Sequence, residues 1–441
     1  MTDVPAEVPE TCIDATARFP AGSKRGSISC LPMTDLTTAI GHAPMKNLPL
    51  LMCLLLVSMN VASATDDPPA DLQSFFQPPP EYAGDFGDFL SPLKFYDGRE
   101  VTSAEQWPAR RREIRQRWDA IIGEWPPLIE TPNVEHVATT KRGEITQHQL
   151  RLGVALEGET VEGFLLVPPG EGPFPAVLVV YYDAQTGVGL GTPLRDFAWQ
   201  LAQRGFVTLS IGKPFTGVDL ENPKAVPHRS KPYYGPTGRP VALQPLSALG
   251  YLAANCQQYL ANRNDVDGER IGIVGHSFGG KWAMFASCLH DGFACAVWSD
   301  GGIVFDERDR RKENPGGSVN YQDRWYLGYV LGEPAADEAR FRSMGLITEP
   351  SQRTGSYKVL MENDHDLVEL HALMAPRPFL VSGGTADMPE RWMALNHAIA
   401  VNRLLGYENR VAMTNRDTHG PNEQSNGQIY RFFEWWLKER Q

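Results

Sequence analysis

The chain is poor in cysteine, and its basic residues form no long run. Six of the 441 residues are cysteine, and the formal net charge is −12 at pH 7. Proteins that bind a nucleic-acid backbone usually present a basic face, so this charge argues against a nucleic-acid partner. The sequence has no Cys-x-x-Cys pair, and no closely spaced set of His and Cys in it suggests a structural metal site. We therefore expect no structural metal and no cofactor.

Long hydrophobic runs are also scarce. The most apolar segment extends from Leu48 to Met59, which is too short to cross a bilayer as a helix. It follows Lys46 and precedes Ala62-Ser63-Ala64, and this layout is typical of a secretory signal peptide cleaved after Ala64. We therefore interpret residues 1–64 as a leader and signal peptide, with Met45 as the expected start. The sequence predicts a secreted or periplasmic protein with no stable membrane span in its mature form.

The cysteines after the predicted cleavage site are Cys256, Cys288 and Cys295. An exported protein enters a compartment that permits disulfides, but three cysteines cannot all pair. Each has apolar neighbours in the sequence, which favours buried free thiols.

Residues 65–130 are predicted to form an N-terminal extension with one helix. Its first part is rich in Pro, Gly and aromatic residues, which indicates an irregular course. Trp107, Ile114 and Trp118 then recur near helical spacing, with Ser103 as the expected cap and Pro126-Pro127 as the expected end. Its arginines are interpreted as a solvated polar face rather than an anion site.

Strand and helix patterns alternate through residues 131–441, which we interpret as a catalytic domain. Three amphipathic strand patterns come first, followed by the fully apolar run FPAVLVVYYD. A continuous apolar strand is expected where a sheet is covered on both faces. The alternation predicts an α/β fold with a mostly parallel central sheet and helices on both faces. Residues 301–341 interrupt it as a lid-like insertion, and residues 213–240 form a second candidate wall of the site.

One short segment carries the chemistry. Gly275-His276-Ser277-Phe278-Gly279 fits Gly-x-Ser-x-Gly and lies between a strand pattern and a helix pattern. Such a turn exposes the serine hydroxyl at a helix N-terminus, so Ser277 is the predicted nucleophile rather than a serine in a plain glycine turn. A serine hydroxyl needs a base, an acid to orient that base, and N–H donors for the oxyanion.

The segment NDVDGERIGIVGHSFGG resembles the signature of the α/β-hydrolase superfamily, in its dienelactone hydrolase, acetyl xylan esterase and prolyl oligopeptidase branches. The resemblance covers about residues 133–439 and implies the chain order Ser, acid, His. It places the acid at Asp387, after FLVSGG, and the base at His419, after VAMTNR. The oxyanion donors would be the backbone N–H groups of Phe278 and of a residue after AVLVVYYD, namely Tyr182 or Asp183.

Several residues compete for roles. Asp300 also ends a strand pattern, and glucuronoyl esterases place their acid there, so Asp300 remains the alternative to Asp387. Lys281 resembles a lysine that contacts carbohydrate in those enzymes, although their arginine after the serine is Phe278 here. We interpret His276 as a filler of the motif and His371 as a packed residue, whereas His365 is a candidate for the pocket mouth. In the insertion, packing is favoured over sugar stacking for Tyr321, Trp325 and Tyr326.

The sequence therefore predicts a secreted serine hydrolase that cleaves a carboxylic ester through an acyl-enzyme intermediate. A carbohydrate-linked ester is the favoured substrate. The expected partner is a small-molecule or carbohydrate ester. A peptidase of the prolyl oligopeptidase type is the alternative enzyme, although the 70 residues after the predicted cut leave no room for the propeller of that family. The alternative that is not an enzyme is a catalytically inactive α/β-hydrolase fold that serves as a binding module.

Overall fold

The structure is a computed structural model, and it describes residues 67–214, 239–305, 321–323, 325–334 and 355–440. These residues all belong to one compact unit, Ser63–Gln441. The predicted signal peptide, most of the segment 213–240 and most of the insertion lie outside the described residues.

Nine strands of the described chain form one sheet. They are β1 (Asn133–Arg142), β2 (Ile145–Gly153), β3 (Val161–Val167), β4 (Phe174–Val180), β5 (Val207–Ile211), β6 (Val266–His276), β7 (Cys295–Ser299), β8 (Phe379–Gly383) and β9 (Val411–Asn415). Their order across the sheet is β1-β2-β3-β5-β4-β6-β7-β8-β9. The pairs β1–β2, β2–β3 and β3–β5 are antiparallel, and all pairs from β5 to β9 are parallel. The predictions of an antiparallel opening and a mostly parallel sheet are confirmed.

The helices connect these strands and cover the sheet. They are α1 (Trp107–Ile122), α2 (Ala184–Gly187), α3 (Phe197–Ala202), α4 (Pro245–Ala261), α5 (Phe278–Leu289), α6 (Gly355–Glu362), α7 (Val368–Ala372), α8 (Trp392–Leu404) and α9 (Glu423–Glu434). The sequence patterns did not predict α2, α6 and α7. These helices have at most eight residues, which is too short for helical periodicity to stand out.

Alternate residues of β4 face two different apolar cores. Ala176, Leu178 and Val180 pack with apolar residues of α1, α4, α5 and α8. Val177 and Val179 pack on the other face, with residues of α3 and α9. Since neighbouring strand residues point to opposite faces, both faces of this strand are covered, as its continuous apolar sequence predicts.

Helix α1 forms where it was predicted, but its ends differ. Its N-cap is Gln106 rather than Ser103, and it ends at Gly123, before the proline pair. The Gln106 side chain accepts hydrogen bonds from the backbone N–H groups of Thr102 and Ser103, so Ser103 belongs to the turn before the helix. The predicted burial of Cys256, Cys288 and Cys295 as free thiols is confirmed.

Candidate active site

Ser277 lies on a sharp turn between β6 and α5. Its backbone has φ 59° and ψ −113°, a conformation that costs a non-glycine residue strain energy. Glycine is required beside it, because a Cβ atom on Gly279 would lie 2.1 Å from the carbonyl oxygen of Val180. The carboxyl end of β4 therefore packs directly against the first turn of α5, and the serine stands at the edge of the sheet where β6 ends.

His419 joins Ser277 to a carboxylate. It lies between β9 and α9, and its Nε2 is 2.8 Å from Ser277 Oγ. Its Nδ1 is 2.6 Å from Oδ2 of Asp300, which directly follows β7 and is fully buried. The three side chains thus form one hydrogen-bonded chain across the carboxyl ends of the parallel strands.

The prediction that Asp387 contacts His419 is wrong. Its carboxylate accepts hydrogen bonds from the backbone N–H groups of Gly302 at 2.8 Å and Ile303 at 2.7 Å. The reason is the strand order, because the loop that carries His419 must cross β8 and β7 to reach Ser277 beside β6. At that point the nearest carboxylate comes from the end of β7, which is Asp300.

Gly384 opens the path for this crossing. A Cβ atom there would lie 2.3 Å from the carbonyl oxygen of Thr418 and 2.7 Å from Oδ2 of Asp300. Sequence reasoning missed this residue, although the Gly-Gly pair after β8 was a visible signal for a close backbone approach.

The loop around His419 is held by Arg416, which sequence reasoning also missed. Its guanidinium donates to the carbonyl oxygens of Ser382 and His419 at 2.8 Å each and to that of Gly420 at 2.9 Å. Burial lowers the pKa of Arg416, and the charge of Asp300 acts in the opposite direction. The only signal in the sequence was an arginine three residues before the histidine.

Asp300 and Asp387 are close enough to influence each other. Burial raises the pKa of Asp387, and the negative charge of Asp300 raises it further. The Arg391 guanidinium, with Nε 4.0 Å from Asp387 Oδ1, acts in the opposite direction. The pKa of Asp387 is therefore raised above its usual range, which does not suit the partner of an imidazolium.

His276 packs against the imidazole of His419. Its ring centroid lies 4.9 Å from that of His419, and its Nδ1 is 3.1 Å from Ser299 Oγ. Burial lowers the pKa of His276 well below its usual range. A neutral, packed histidine agrees with the interpretation of His276 as a filler of the motif.

The expected oxyanion donors, Phe278 and Tyr182, are neighbours. Their rings are stacked, with centroids 4.5 Å apart and planes inclined by 10°. Phe278 is the first residue of α5, and N–H groups in the first turn of a helix point away from it along its axis. Tyr182 lies in the loop that directly follows β4. The arrangement places both backbone segments next to the turn that carries Ser277.

The remaining candidates are packed into the protein. Lys281 donates a hydrogen bond to the carbonyl oxygen of Gly301, and its Nζ lies 4.3 Å from the ring centroid of Tyr321. Tyr321 donates to the carbonyl oxygen of Gly302 at 2.6 Å. Trp325 and Tyr326 are also buried, which agrees with packing as their favoured role.

The two histidines that precede β8, His365 and His371, are both buried. His365 is buried and bonds Glu369 through Nδ1 at 2.8 Å, so the structure does not place it at a pocket mouth. His371 is fully buried against Trp298, as its packed interpretation predicts. Within the described ranges, no group of three or more His, Cys, Asp or Glu residues could hold a metal ion, and no helix there is long and apolar enough to cross a membrane.

Comparison with known proteins identifies the fold. Residues 249–324 match the family described as BAAT / Acyl-CoA thioester hydrolase C terminal. A search of curated proteins returned no matching sequence. Among solved structures, a glucuronoyl esterase from Solibacter usitatus is 19% identical with a TM-score of 0.58, over 80% of this chain and 98% of that one.

Two other solved structures are similar to the same extent. A promiscuous CE15 esterase from a marine bacterial metagenome is 17% identical with a TM-score of 0.58, over 81% of this chain and 99% of that one. A CE15 glucuronoyl esterase from Caldicellulosiruptor kristjansonii is 19% identical with a TM-score of 0.55, over 82% and 93% of the two chains. The predicted α/β-hydrolase fold is confirmed.

Proposed function

We propose that the protein is a serine esterase that cleaves a carbohydrate-linked carboxylic ester through an acyl-enzyme. The observation that carries the proposal is the hydrogen-bonded chain from Ser277 through His419 to Asp300. This chain supplies the nucleophile, the base and the orienting acid of a serine hydrolase.

The first half of the reaction forms the acyl-enzyme. Ser277 Oγ attacks the ester carbonyl carbon while His419 Nε2 takes its proton. Asp300 keeps the Nδ1 proton of His419 in place and stabilises the imidazolium. The carbonyl oxygen becomes negatively charged and accepts hydrogen bonds from the backbone N–H groups of Phe278 and Tyr182. Collapse of this intermediate breaks the ester bond, and His419 gives the proton to the departing alkoxide.

The second half returns the enzyme to its starting state. Water attacks the acyl carbon while His419 Nε2 takes one of its protons. The second tetrahedral intermediate then releases the carboxylic acid, and the proton returns to Ser277 Oγ. No cofactor is required in this scheme, because the side chains and backbone of the site supply every group.

The carbohydrate part of the proposal rests on similarity of fold and on one matched residue. The similar solved structures are described as glucuronoyl and CE15 esterases. Lys281 matches the carbohydrate-contacting lysine implied by the resemblance, but its ammonium group bonds Gly301 and lies over Tyr321. Phe278 stands where glucuronoyl esterases carry arginine, so a substrate without a charged uronate is equally compatible with this site.

A fluorophosphonate probe tests the reaction class. We expect the wild-type protein to be labelled at Ser277, and Ser277→Ala to lose both labelling and turnover while its melting temperature stays close to that of the wild type. A non-catalytic binding module would not be labelled. A panel of acetylated sugars, uronate methyl esters, acyl thioesters and peptide amides then identifies the bond. Faster cleavage of the amides or thioesters than of every sugar ester would refute the carbohydrate esterase.

We also propose that the protein is exported. The support is the segment Met45 to Ala64, which has the charge, apolar core and small-x-small end of a signal peptide. Mass spectrometry of the protein recovered from the medium or periplasm should give an N-terminus at Thr65. An N-terminus well before Thr65 would contradict this cleavage site.

A further inference from the structure

Arg195 lies beside the turn that carries the proposed nucleophile. Its Nη1 donates a hydrogen bond to Tyr181 Oη at 2.7 Å. Tyr181 directly follows β4, and its Cδ2 would lie 3.3 Å from a Cβ atom on Gly279, in the first turn of α5. The ring of Tyr181 also contacts that of Tyr182, with 5.0 Å between the centroids. The side chain of Tyr181 thus links the Arg195 guanidinium to the turn of Ser277.

The charge of Arg195 also acts on the histidines of the site. Burial is the main cause that lowers the pKa of His276, and the positive charge of Arg195 is the next largest, ahead of that of His419. The ring of His276 lies 4.9 Å from that of His419, centroid to centroid. Arg195 therefore lies on the side of the site where His419 would protonate the departing alcohol.

The Arg195 guanidinium is not paired with a carboxylate in the described part of the chain. Its Nη2 reaches solvent and has no hydrogen bond there, and its Nε is shielded from solvent without one. The neighbouring Asp196 accepts a hydrogen bond from Gln200 Nε2 at 2.9 Å. Asp300 is occupied by His419 and by backbone N–H groups. Donors without partners beside the proposed active site suit an anion of a bound substrate.

The backbone that presents Arg195 is strained and anchored. Leu194 has φ 60°, in the left-handed region that residues with a large side chain rarely adopt. Its carbonyl oxygen accepts a hydrogen bond at 2.9 Å from Nδ2 of Asn426, a buried residue of α9. Strain of this kind persists where the surroundings hold it, and it clusters at ligand sites. The loop therefore keeps Arg195 at the site.

We propose that Arg195 binds a carboxylate on the sugar part of the substrate, so that the preferred ester is an O-acylated uronate sugar. The inference rests on the proposed esterase function. The sugar is the alcohol part of such an ester, and its departing oxygen faces His419 Nε2, on the side where Arg195 lies. A guanidinium with unused N–H donors binds a planar carboxylate more strongly than a neutral hydroxyl group. Phe278 does not decide the charge of the substrate, whereas Arg195 favours an anionic one.

Paired esters measure this preference. The methyl glycosides of acetylated galacturonic acid and of acetylated galactose differ only at C6, which is a carboxylate in the first and a hydroxymethyl group in the second. We expect the wild-type protein to cleave the acidic ester with a kcat/KM about 10- to 100-fold higher, as expected for a hydrogen bond to a charged group. The difference should lie mainly in KM and should shrink at high ionic strength.

Variants of Arg195 separate a role in recognition from a structural role. Arg195→Gln should bring the two kcat/KM values to within about threefold of each other, chiefly by raising KM for the acidic ester. A purely structural role would lower both values alike and leave their ratio unchanged. Arg195→Lys keeps the charge and should retain part of the preference.

Two further variants serve as controls. Tyr181→Phe removes the hydrogen bond of Arg195 but not its charge, so most of the preference for the acidic ester should remain. Arg112→Gln removes an exposed arginine of α1 and should show the ratio of the wild type.

Unesterified sugars measure binding without cleavage. Galacturonate should inhibit the hydrolysis of 4-nitrophenyl acetate by the wild type competitively, with an inhibition constant about tenfold or more below that of galactose. In Arg195→Gln the two sugars should inhibit alike.

Three results would overturn the proposal. The first is a wild type with no preference for the acidic ester and none for galacturonate as inhibitor. The second is a preference that persists in Arg195→Gln. The third is faster cleavage of 4-nitrophenyl hemisuccinate than of 4-nitrophenyl butyrate that depends on Arg195, which would place the anion on the acyl part. Each of them leaves the esterase function standing as long as the fluorophosphonate labels Ser277, whereas loss of that labelling refutes the function itself.

Discussion

Asp300 and Asp387 hold each other in place through exchanged backbone hydrogen bonds. Oδ1 of Asp300 accepts the backbone N–H groups of Asp387 at 2.9 Å and of Ala386 at 3.1 Å. The carboxylate of Asp387 in turn accepts the N–H groups of Gly302 and Ile303, in the loop that follows Asp300. One oxygen of Asp300 is thus anchored, and the other is aimed at His419.

This arrangement predicts unequal effects of two similar substitutions. Asp300→Asn should lower kcat by about 10⁴-fold, because an amide favours the wrong tautomer of His419. Asp387→Asn should cost about 100-fold or less, because it only loosens the loop that positions Asp300. Steady-state kinetics on a small soluble ester measure both values, and thermal melting checks that both variants fold. If Asp387→Asn proved the more damaging substitution, the assignment of Asp300 as the catalytic acid would have to be abandoned.

The close contact at Gly279 predicts a loss of both stability and activity. In Gly279→Ala the new methyl group would meet the carbonyl oxygen of Val180, so the strand or the helix must shift. We expect the free energy of unfolding to fall by about 3 kcal/mol or more, and turnover to fall with the displaced serine. Urea denaturation and ester hydrolysis measure the two effects.

Gly427→Ala is the matched control for that substitution. Gly427 lies inside α9, and a Cβ atom there has no neighbour within 4 Å. Alanine should raise the free energy of unfolding by about 0.5–1 kcal/mol, because it favours the helix. Similar stability of the two alanine variants would contradict the tight packing between β4 and α5.

Glu369, in α7, bonds side chains of α1 and of the segment that precedes α1. Its buried carboxylate accepts hydrogen bonds from Tyr96 at 2.7 Å, Trp118 at 3.0 Å and His365 at 2.8 Å, and it lies 3.4 Å from Nη2 of Arg110. Burial acts to raise the pKa of Glu369, but the hydrogen bonds outweigh it and the pKa is lowered. The carboxylate therefore contributes stability above pH 4.5 that is lost as the pH falls through its lowered pKa.

We expect Glu369→Gln to lower the free energy of unfolding by about 1–3 kcal/mol at pH 7, because an amide with one acceptor oxygen leaves some of the buried donors around it unsatisfied. Arg110 keeps its ion pair with Glu113 at 2.6 Å, so its charge stays paired. Urea denaturation at constant pH measures the change. Glu362→Gln is the control, since Glu362 is exposed and forms a surface pair with Lys358 in α6, which contributes about 0.5 kcal/mol or less. If both substitutions changed the free energy of unfolding equally, the contacts of Glu369 with Tyr96 and Trp118 would not stabilise the fold.

The burial of His371 predicts that the protein loses stability in acid. Burial lowers the pKa of His371 to about 3, with a smaller contribution from His397. An unfolded histidine has a pKa near 6.5, so below that pH the unfolded chain binds a proton that the folded chain does not. The free energy of unfolding should therefore fall as the pH drops from about 6.5 towards 3.

Replacing the imidazole tests this sign. Between pH 7 and pH 4.5, His371→Leu should lose about 2–3 kcal/mol less stability than the wild type, as measured by urea denaturation at each pH. His136→Gln, which removes an exposed histidine of β1, controls for the loss of a titratable side chain. If the free energy of unfolding of His371→Leu fell with pH as steeply as that of the wild type, His371 would not be the neutral, buried group described above.

The amino-acid sequence by itself determined most of the elements that build the site. The continuous apolar run of β4 and the helical spacing of apolar residues in the segments between strands predict a parallel sheet with helices on both faces. Such burial patterns can be read from the residue types alone. Gly-x-Ser-x-Gly between a strand and a helix likewise predicted Ser277 as the nucleophile, a local pattern that a sequence displays directly. The resemblance to the α/β-hydrolase signature, with its chain order Ser, acid, His, placed the base at His419 after β9.

The tertiary structure alone decided which aspartate faces His419. Asp300 and Asp387 both follow strands of the parallel sheet, and no local pattern reveals which strand end the His419 loop approaches. That choice depends on the order β6-β7-β8-β9, on the space left at Gly384, and on the N–H groups of Gly302 and Ile303, which hold the Asp387 carboxylate. Each of these contacts joins residues that are about 30 to 120 positions apart in the sequence. Local sequence patterns carry no information about which residues meet over such separations.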